Sequence, residues 1–201
     1  MKISVLILFL ALLTIACKTS NKGETAEDAV TKTADSIQAP VQFFPVAAFL
    51  KNEMDYVDSL PVGIKKYQTR GIRTDSAYIK ADEFHQLASE FLSNDLEDSA
   101  FRKSYAESSF LDRSTNNATF FYKALRPTSA IQRIDVVTAK GEVYDEVKSI
   151  YMEKTVQQGV NSIRKKMFWK PKRSFQIISL TEDTGSGTNA EIVKVVWDNR
   201  E

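Results

Sequence analysis

The spacing of apolar residues changes near residue 116, and this change separates a helical part of the chain from a strand-rich part. Before it, apolar positions recur at helical spacing over residues 46–57 and 84–92. Pro45 suits an early position of the first segment, where its missing N–H costs nothing. We expect two helices here, and a shorter third helix over residues 95–106.

After residue 116 the apolar and polar positions alternate, which is typical of half-buried strands. The region 62–79, in contrast, is predicted to be extended or irregular. We expect an α+β fold with two or three N-terminal helices packed on one face of a twisted antiparallel meander of about five or six strands. The segments with alternating character are 118–125, 130–138, 142–156, 161–170, 174–181 and 190–198.

The first sixteen residues have the pattern of a secretory signal peptide. A single Lys precedes a run from residue 3 to residue 16 that is apolar except at two positions. A membrane-spanning helix needs about 20 apolar residues, so this run is too short to cross a bilayer. It ends at Cys17, the only cysteine of the chain.

The sequence Leu13-Thr14-Ile15-Ala16-Cys17 resembles the lipobox of bacterial lipoproteins, with Thr14 where Leu or Val is usual. The resemblance covers the leader alone. It implies cleavage before Cys17, a diacylglyceryl group on its sulfur and an acyl chain on its new amino group. The alternatives are an ordinary signal peptide with a chance cysteine, or an uncleaved anchor. A lone free thiol is a liability in an oxidising compartment, which favours acylation.

Three regions follow along the chain. Residues 1–16 form the signal peptide, and residues 17–40 form the acylated cysteine and a flexible tether. The tether residues are small and polar, so they cannot bury enough apolar surface to offset the entropy of ordering. Residues 41–201 form a single globular domain. Its charge is uneven, with a net of −3 over residues 41–115 and +4 over residues 116–201.

Few residues suggest catalysis or metal binding. His85 is the only histidine and lies near the edge of a helical stripe, where a surface role is more common than a catalytic one. One histidine and one acylated cysteine are too few for a zinc site, and no G-x-S-x-G motif supports a serine hydrolase. We expect no cofactor and no metal. The cluster Asp95, Glu97 and Asp98 does not fit the pattern of a calcium-binding loop. We interpret the pairs Asp145-Glu146 and Glu182-Asp183 as solvated.

The sequence RKKMFWKPKR, residues 164–173, is the most unusual stretch of the domain. On a strand, Arg164, Lys166 and Lys170 share one face with Phe168, while Met167 and Trp169 belong to the other. The first three are the predicted binding face, suited to an anionic lipid or an acidic envelope protein. The alternative is an edge strand whose charges keep it soluble.

These features predict a membrane-tethered periplasmic lipoprotein that acts as a non-enzymatic binding or assembly module of the bacterial envelope. In some Gram-negative phyla an acidic cluster after the cysteine directs lipoproteins to the cell surface, and CKTSNK has none. The resemblance therefore implies a periplasm-facing location, with surface exposure as the alternative. That compartment makes nucleic acid an unsuitable partner. Two other functions stay open: a carboxylate-dependent hydrolase of envelope polymers, and a small apolar-ligand carrier. The carrier's cavity would be lined by some of Phe120, Phe121, Tyr122, Tyr151 and Trp197.

Overall fold

A computed structural model describes residues 43–93, 96, 99–140, 146–159, 161–183 and 187–198. All of these residues belong to one compact unit, residues 42–201. The predicted signal peptide and tether, including Cys17, lie outside the described residues, as do several residues of the predicted carboxylate clusters.

The described chain contains three short helices and nine strands. The helices are α1 (Val46–Asp58), α2 (Ala81–Ala88), which continues into a 3-10 turn at Ser89–Phe91, and α3 (Ser99–Ser104). The strands are β1 (Ile64–Arg70), β2 (Arg73–Ile79), β3 (Tyr105–Asp112), β4 (Asn117–Ala124), β5 (Ile131–Ala139), β6 (Glu146–Gln158), β7 (Asn161–Lys170), β8 (Ser174–Asp183) and β9 (Gly187–Val196).

The nine strands form one antiparallel sheet in the order β2-β1-β9-β8-β7-β6-β5-β4-β3. Strands β3 to β9 follow one another as a meander, and the β1–β2 hairpin pairs with β9 at the far end. The predicted α+β fold with five or six strands is therefore wrong. The domain is mostly sheet, and the helices are a minor part of it.

The six segments with alternating pattern correspond to β4 through β9, while β1, β2 and β3 were not predicted as strands. For β2 and β3 the reason is their position, because they are the two edges of the sheet. Six of the seven β2 residues are exposed. An edge strand buries little apolar surface, so its sequence needs no alternation.

The core lies between the helices and one face of the sheet, called here the covered face. Transverse rows of side chains cross this face through the register of the strands. One row contains Tyr122, Ile134, Met152, Met167 and Ile177, and the next contains Val136, Ile150, Trp169, Phe175 and Val195. All ten side chains are buried. Burial of one large apolar side chain contributes about 1.5–3 kcal/mol, so these rows hold the sheet and helices together.

The helices contribute the other half of the core. Leu50 of α1 and Phe84 of α2 have no exposed surface. The Phe84 ring centroid lies 5.9 Å from that of Phe175, and the Phe91 centroid lies 5.1 Å from that of Trp169. The opposite face of the sheet, called here the open face, has no described helix packed on it. None of the described helices combines the length and the apolar character that a membrane span requires.

Candidate functional site

Strand β7, which carries the predicted binding residues, is the middle strand of the sheet. It pairs with β6 on one side and with β8 on the other. Met167 and Trp169 are fully buried on the covered face, whereas Phe168 on the open face is 44% exposed. The predicted alternation is confirmed. The alternative of an edge strand is wrong, because both edges of β7 are occupied.

Arg164, Lys166 and Lys170 lie along the open face as a line. At about 3.3 Å per residue the first and last are roughly 20 Å apart. Arg164 and Lys170 are exposed, and Lys166 is half-buried. Lys166 lies directly opposite Glu153 of β6 in the register of the two strands.

On the β4–β6 side, the open face carries charges of both signs, among them Lys123, Arg133, Asp135 and Glu153. The Arg133 guanidinium donates from both Nε and Nη2 to the Asp135 carboxylate, each at 2.7 Å. The Tyr151 hydroxyl donates to Glu153 Oε1 at 2.5 Å. Burial raises the pKa of Tyr151, and the hydrogen bond to Glu153 raises it further. This part of the sheet carries little uncompensated charge.

On the β7–β8–β9–β1 side, the open face is basic. Among the described side chains that these four strands direct to the open face, every charged one is Lys or Arg: Arg164, Lys166, Lys170, Lys194 and Lys65. We call this surface the basic face. Lys65 also lies 5.0 Å from the centroid of the Tyr67 ring, in a cation–π contact.

On the covered face of the same four strands, each described charge has a charge of opposite sign as its partner. Lys165 Nζ lies 2.8 Å from Glu90 Oε1, and Lys66 forms an ion pair with Glu83 of α2. Arg70 Nε donates to Glu191 Oε1 at 2.7 Å. The positive potential of these strands is therefore directed away from the helices.

A groove of about 560 Å³ lies at one end of the basic face. Its cations are Lys170, Arg173 and Lys194, and its one acidic residue is Asp198. No ion pair to these three cations is found among the described residues. The remaining lining residues are Tyr67, Thr69, Ser174, Gln176, Ile192 and Val196.

The turn between β7 and β8 positions Arg173 at this groove. Glu53 of α1, which is only 7% exposed, accepts hydrogen bonds from the Lys172 backbone N–H at 2.7 Å and from Trp169 Nε1 at 3.4 Å. The Arg173 carbonyl accepts backbone hydrogen bonds from Trp197 and Asp198. Hydrogen bonds at Lys172 and at the Arg173 carbonyl thus fix the backbone position of Arg173. They therefore also fix the point from which its side chain extends.

The residues nominated for an apolar cavity are divided between the two faces of the sheet. Phe120, Tyr122 and Trp197 belong to the covered face, where Tyr122 and Trp197 are buried in the core. Phe121 and Tyr151 belong to the open face, since they are paired in register with Asp135.

His85 forms a surface pair with a carboxylate. Its Nε2 lies 2.8 Å and 3.0 Å from the two Asp58 carboxylate oxygens, at the end of α1. Both side chains are 39% exposed. Among the nominated carboxylates, Glu146 has a described side chain. It forms an ion pair with Lys148, whose Nζ lies 2.8 Å from Glu146 Oε2. In the described part of the chain, no group of three or more His, Cys, Asp and Glu side chains has a metal-binding arrangement.

The domain is thus a mostly antiparallel sheet with one face covered by helices and one face partly basic. No protein-family model, no curated protein and no solved structure matches the chain. The function is therefore inferred from the basic face and its groove. Sequence reasoning found Lys170 but missed Lys194 and Lys65, because only the pairing of β7, β8, β9 and β1 brings them onto one surface.

Proposed function

We propose that this chain is a lipid-tethered, periplasm-facing binding module of the bacterial envelope, without enzymatic activity, whose basic face binds an anionic partner. The observation that carries the proposal is the difference between the two faces of β7, β8, β9 and β1. One face pairs each described charge, while the described charges of the other are all basic. Clustered charge of one sign attracts a partner of the opposite sign and speeds association.

The position of the basic face also supports binding. A sheet with only one face packed leaves its second face available to solvent or to a ligand. Phe168 and the half-buried Tyr151 lie beside the basic residues with ring centroids 4.8 Å apart. Aromatic and arginine side chains together are enriched at the energetic centres of protein interfaces.

The tether is tested by the substitution Cys17→Ser with metabolic labelling by a clickable fatty acid. Wild-type protein is expected to be labelled and retained in the membrane fraction. The variant is expected to lose the label, because the acylated sulfur is absent. Label retained in the variant would contradict the lipoprotein assignment. It would not test the proposed binding face.

The binding face is tested by chemical crosslinking of the full-length protein in native envelopes. The variant R164Q/K166Q/K170Q removes the line of cations on β7. Its matched control, K123Q/R126Q/K140Q, removes one Arg and two Lys from exposed positions elsewhere. We expect the first variant to lose adducts that the control retains, since each cation near an anionic surface contributes about 1 kcal/mol.

Salt provides a second readout of the same interaction. The Debye length falls from about 10 Å at 0.1 M to about 3 Å at 1 M, so wild-type adducts are expected to decrease with salt more steeply than those of the β7 variant. An unchanged adduct pattern in R164Q/K166Q/K170Q overturns the proposal that this face is the binding surface.

A further inference from the structure

The groove at the end of the basic face is lined by three cations and by apolar side chains, and this combination indicates the chemistry of its ligand. We propose that it binds the phosphate headgroup of an anionic phospholipid, an inference that rests on the proposed function and names its partner. The groove takes its cations from three segments: Lys170 at the end of β7, Arg173 in the following turn and Lys194 on β9.

The net positive charge of the groove favours an anionic ligand. Three cations face one carboxylate, that of Asp198, and among the described residues none pairs with the cations. The guanidinium of Arg173 presents donors in a planar fork that matches two phosphate oxygens, and lysine ammonium groups act as point charges on the same group. A phosphate diester satisfies both donor types with one anionic centre.

The apolar residues of the groove favour an amphiphilic ligand over a free inorganic ion. Ile192 and Val196 of β9 and Tyr67 of β1 are half-buried there, and they offer apolar surface beside the cations. Ser174 and Gln176 supply a hydroxyl and an amide that are suited to glycerol oxygens. The headgroup phosphate would meet the cations, while the first carbons of the acyl chains would lie against the apolar residues.

The size of the groove also favours a headgroup over a protein surface. A volume of about 560 Å³ falls within the roughly 300–1,000 Å³ typical of small-molecule sites. A protein partner would be expected to use a larger and flatter area, on the order of 800 Å² per partner. A membrane-tethered domain also meets phospholipid at high local concentration.

The test uses full-length protein reconstituted in phosphatidylcholine vesicles that contain a photoactivatable phosphatidylglycerol. After irradiation, mass spectrometry locates the crosslinked peptides. We expect them to contain Tyr67, residues 174–176 and residues 192–196. The variant R173Q/K194Q is expected to reduce this crosslinking by about tenfold or more. The matched control K123Q/R126Q also removes one Arg and one Lys, from exposed positions outside the groove, and is expected to leave the crosslinking unchanged.

Competition distinguishes the sources of the anion. Unlabelled phosphatidylglycerol is expected to suppress the groove crosslinks, and inorganic phosphate at the same concentration is not. Equal suppression by inorganic phosphate overturns the lipid assignment in favour of a free-anion site. Suppression by polyglutamate but not by phosphatidylglycerol overturns it in favour of an acidic protein partner.

The result also separates this inference from the proposed function. If R173Q/K194Q crosslinks to lipid like wild type while R164Q/K166Q/K170Q loses its envelope adducts, the headgroup site is wrong and the binding face stands. If both variants behave like wild type, both proposals are wrong. Circular dichroism and melting temperature of each variant confirm that a loss of crosslinking is not a loss of folding.

Discussion

The two faces of the sheet differ most clearly on β7, where neighbouring residues have opposite surroundings. Trp169 is buried against Phe91 and Phe175, with ring centroids at 5.1 Å and 5.2 Å. Phe168, one residue earlier, is 44% exposed and contacts one ring, that of Tyr151. On β7, the buried residues of the covered face pack in the core, whereas the residues of the open face are mainly cations. A substitution on one face should therefore change stability, and a substitution on the other should change binding.

The largest effect is expected from Trp169→Ala. Truncating a buried aromatic side chain costs about 3–5 kcal/mol of unfolding free energy, and here it also removes the donor to Glu53. Phe168→Ala is the control on the same strand, with an expected cost of about 1 kcal/mol for one ring contact. Urea denaturation measures both. Similar losses for the two variants would contradict the assignment of the faces.

A smaller effect is expected at Glu53, whose buried carboxylate connects α1 to the β7–β8 turn. Glu53→Ala leaves the Lys172 N–H and the Trp169 Nε1–H without their acceptor. An unsatisfied buried donor costs on the order of 1–3 kcal/mol. Only the Trp169 donor is buried, while the Lys172 N–H is part-buried, so the unfolding free energy should fall by about that amount. Glu53→Gln retains one acceptor oxygen and should cost less. Equal stability of Glu53→Ala and wild type would show that the turn does not depend on this contact.

Tyr122 on the covered face should make stability sensitive to alkaline pH. Burial raises its pKa to about 12, whereas an unfolded tyrosine titrates near 10. The protonated hydroxyl therefore stabilises the fold fully below pH 10, and this contribution is lost as the pH rises from about 10 to about 12. Tyr122→Phe should cost about 1 kcal/mol at neutral pH and should flatten the alkaline decrease.

The control for that titration is Tyr78→Phe, at an edge position where the residue is 75% exposed. It should retain the alkaline slope of wild type. Melting temperatures at pH 8, 10 and 11.5 provide the comparison. A Tyr122→Phe protein with the full slope would mean that other groups produce the alkaline loss.

The smallest effect on stability is expected from R164Q/K166Q/K170Q. Exposed charges contribute little to folding, so the unfolding free energy should stay within about 0.5 kcal/mol of wild type. Thermal denaturation checks this directly. A loss of several kcal/mol would show that the β7 cations stabilise the sheet. That result would contradict the expectation that substitutions on the open face change binding and not stability.

The sequence predicted the features that arise within one strand. The alternation of Met167 and Trp169 with Lys166 and Phe168 is a local pattern, and the structure confirms it. The helix predicted over residues 46–57 is likewise confirmed as α1. Both follow from apolar periodicity, which burial imposes directly on the sequence.

Features that depend on pairing between distant strands were not predictable. Lys194 reaches the groove because β9 pairs with β8, where Gln176 is its partner in register. Nothing in the residues around Lys194 records this pairing. The edge strand β2 was missed for a related reason, since a strand that buries little has no constraint on its pattern. The strand count was therefore wrong, although the central strands were predicted.

The pairing of β1 with β9 has a consequence for the order in which the domain assembles. Gln68 and Glu191, which are joined by a hydrogen bond, are 123 positions apart in the chain. A two-stranded hairpin is marginally stable by itself, so β1–β2 emerges early in synthesis but acquires its neighbour only when the last strand has been made. Contacts between distant residues slow folding. Strand β1 thus has no second neighbour until β9 has been made, and a chain that lacks β9 should expose both β1 and β8 as edges that can pair with another chain.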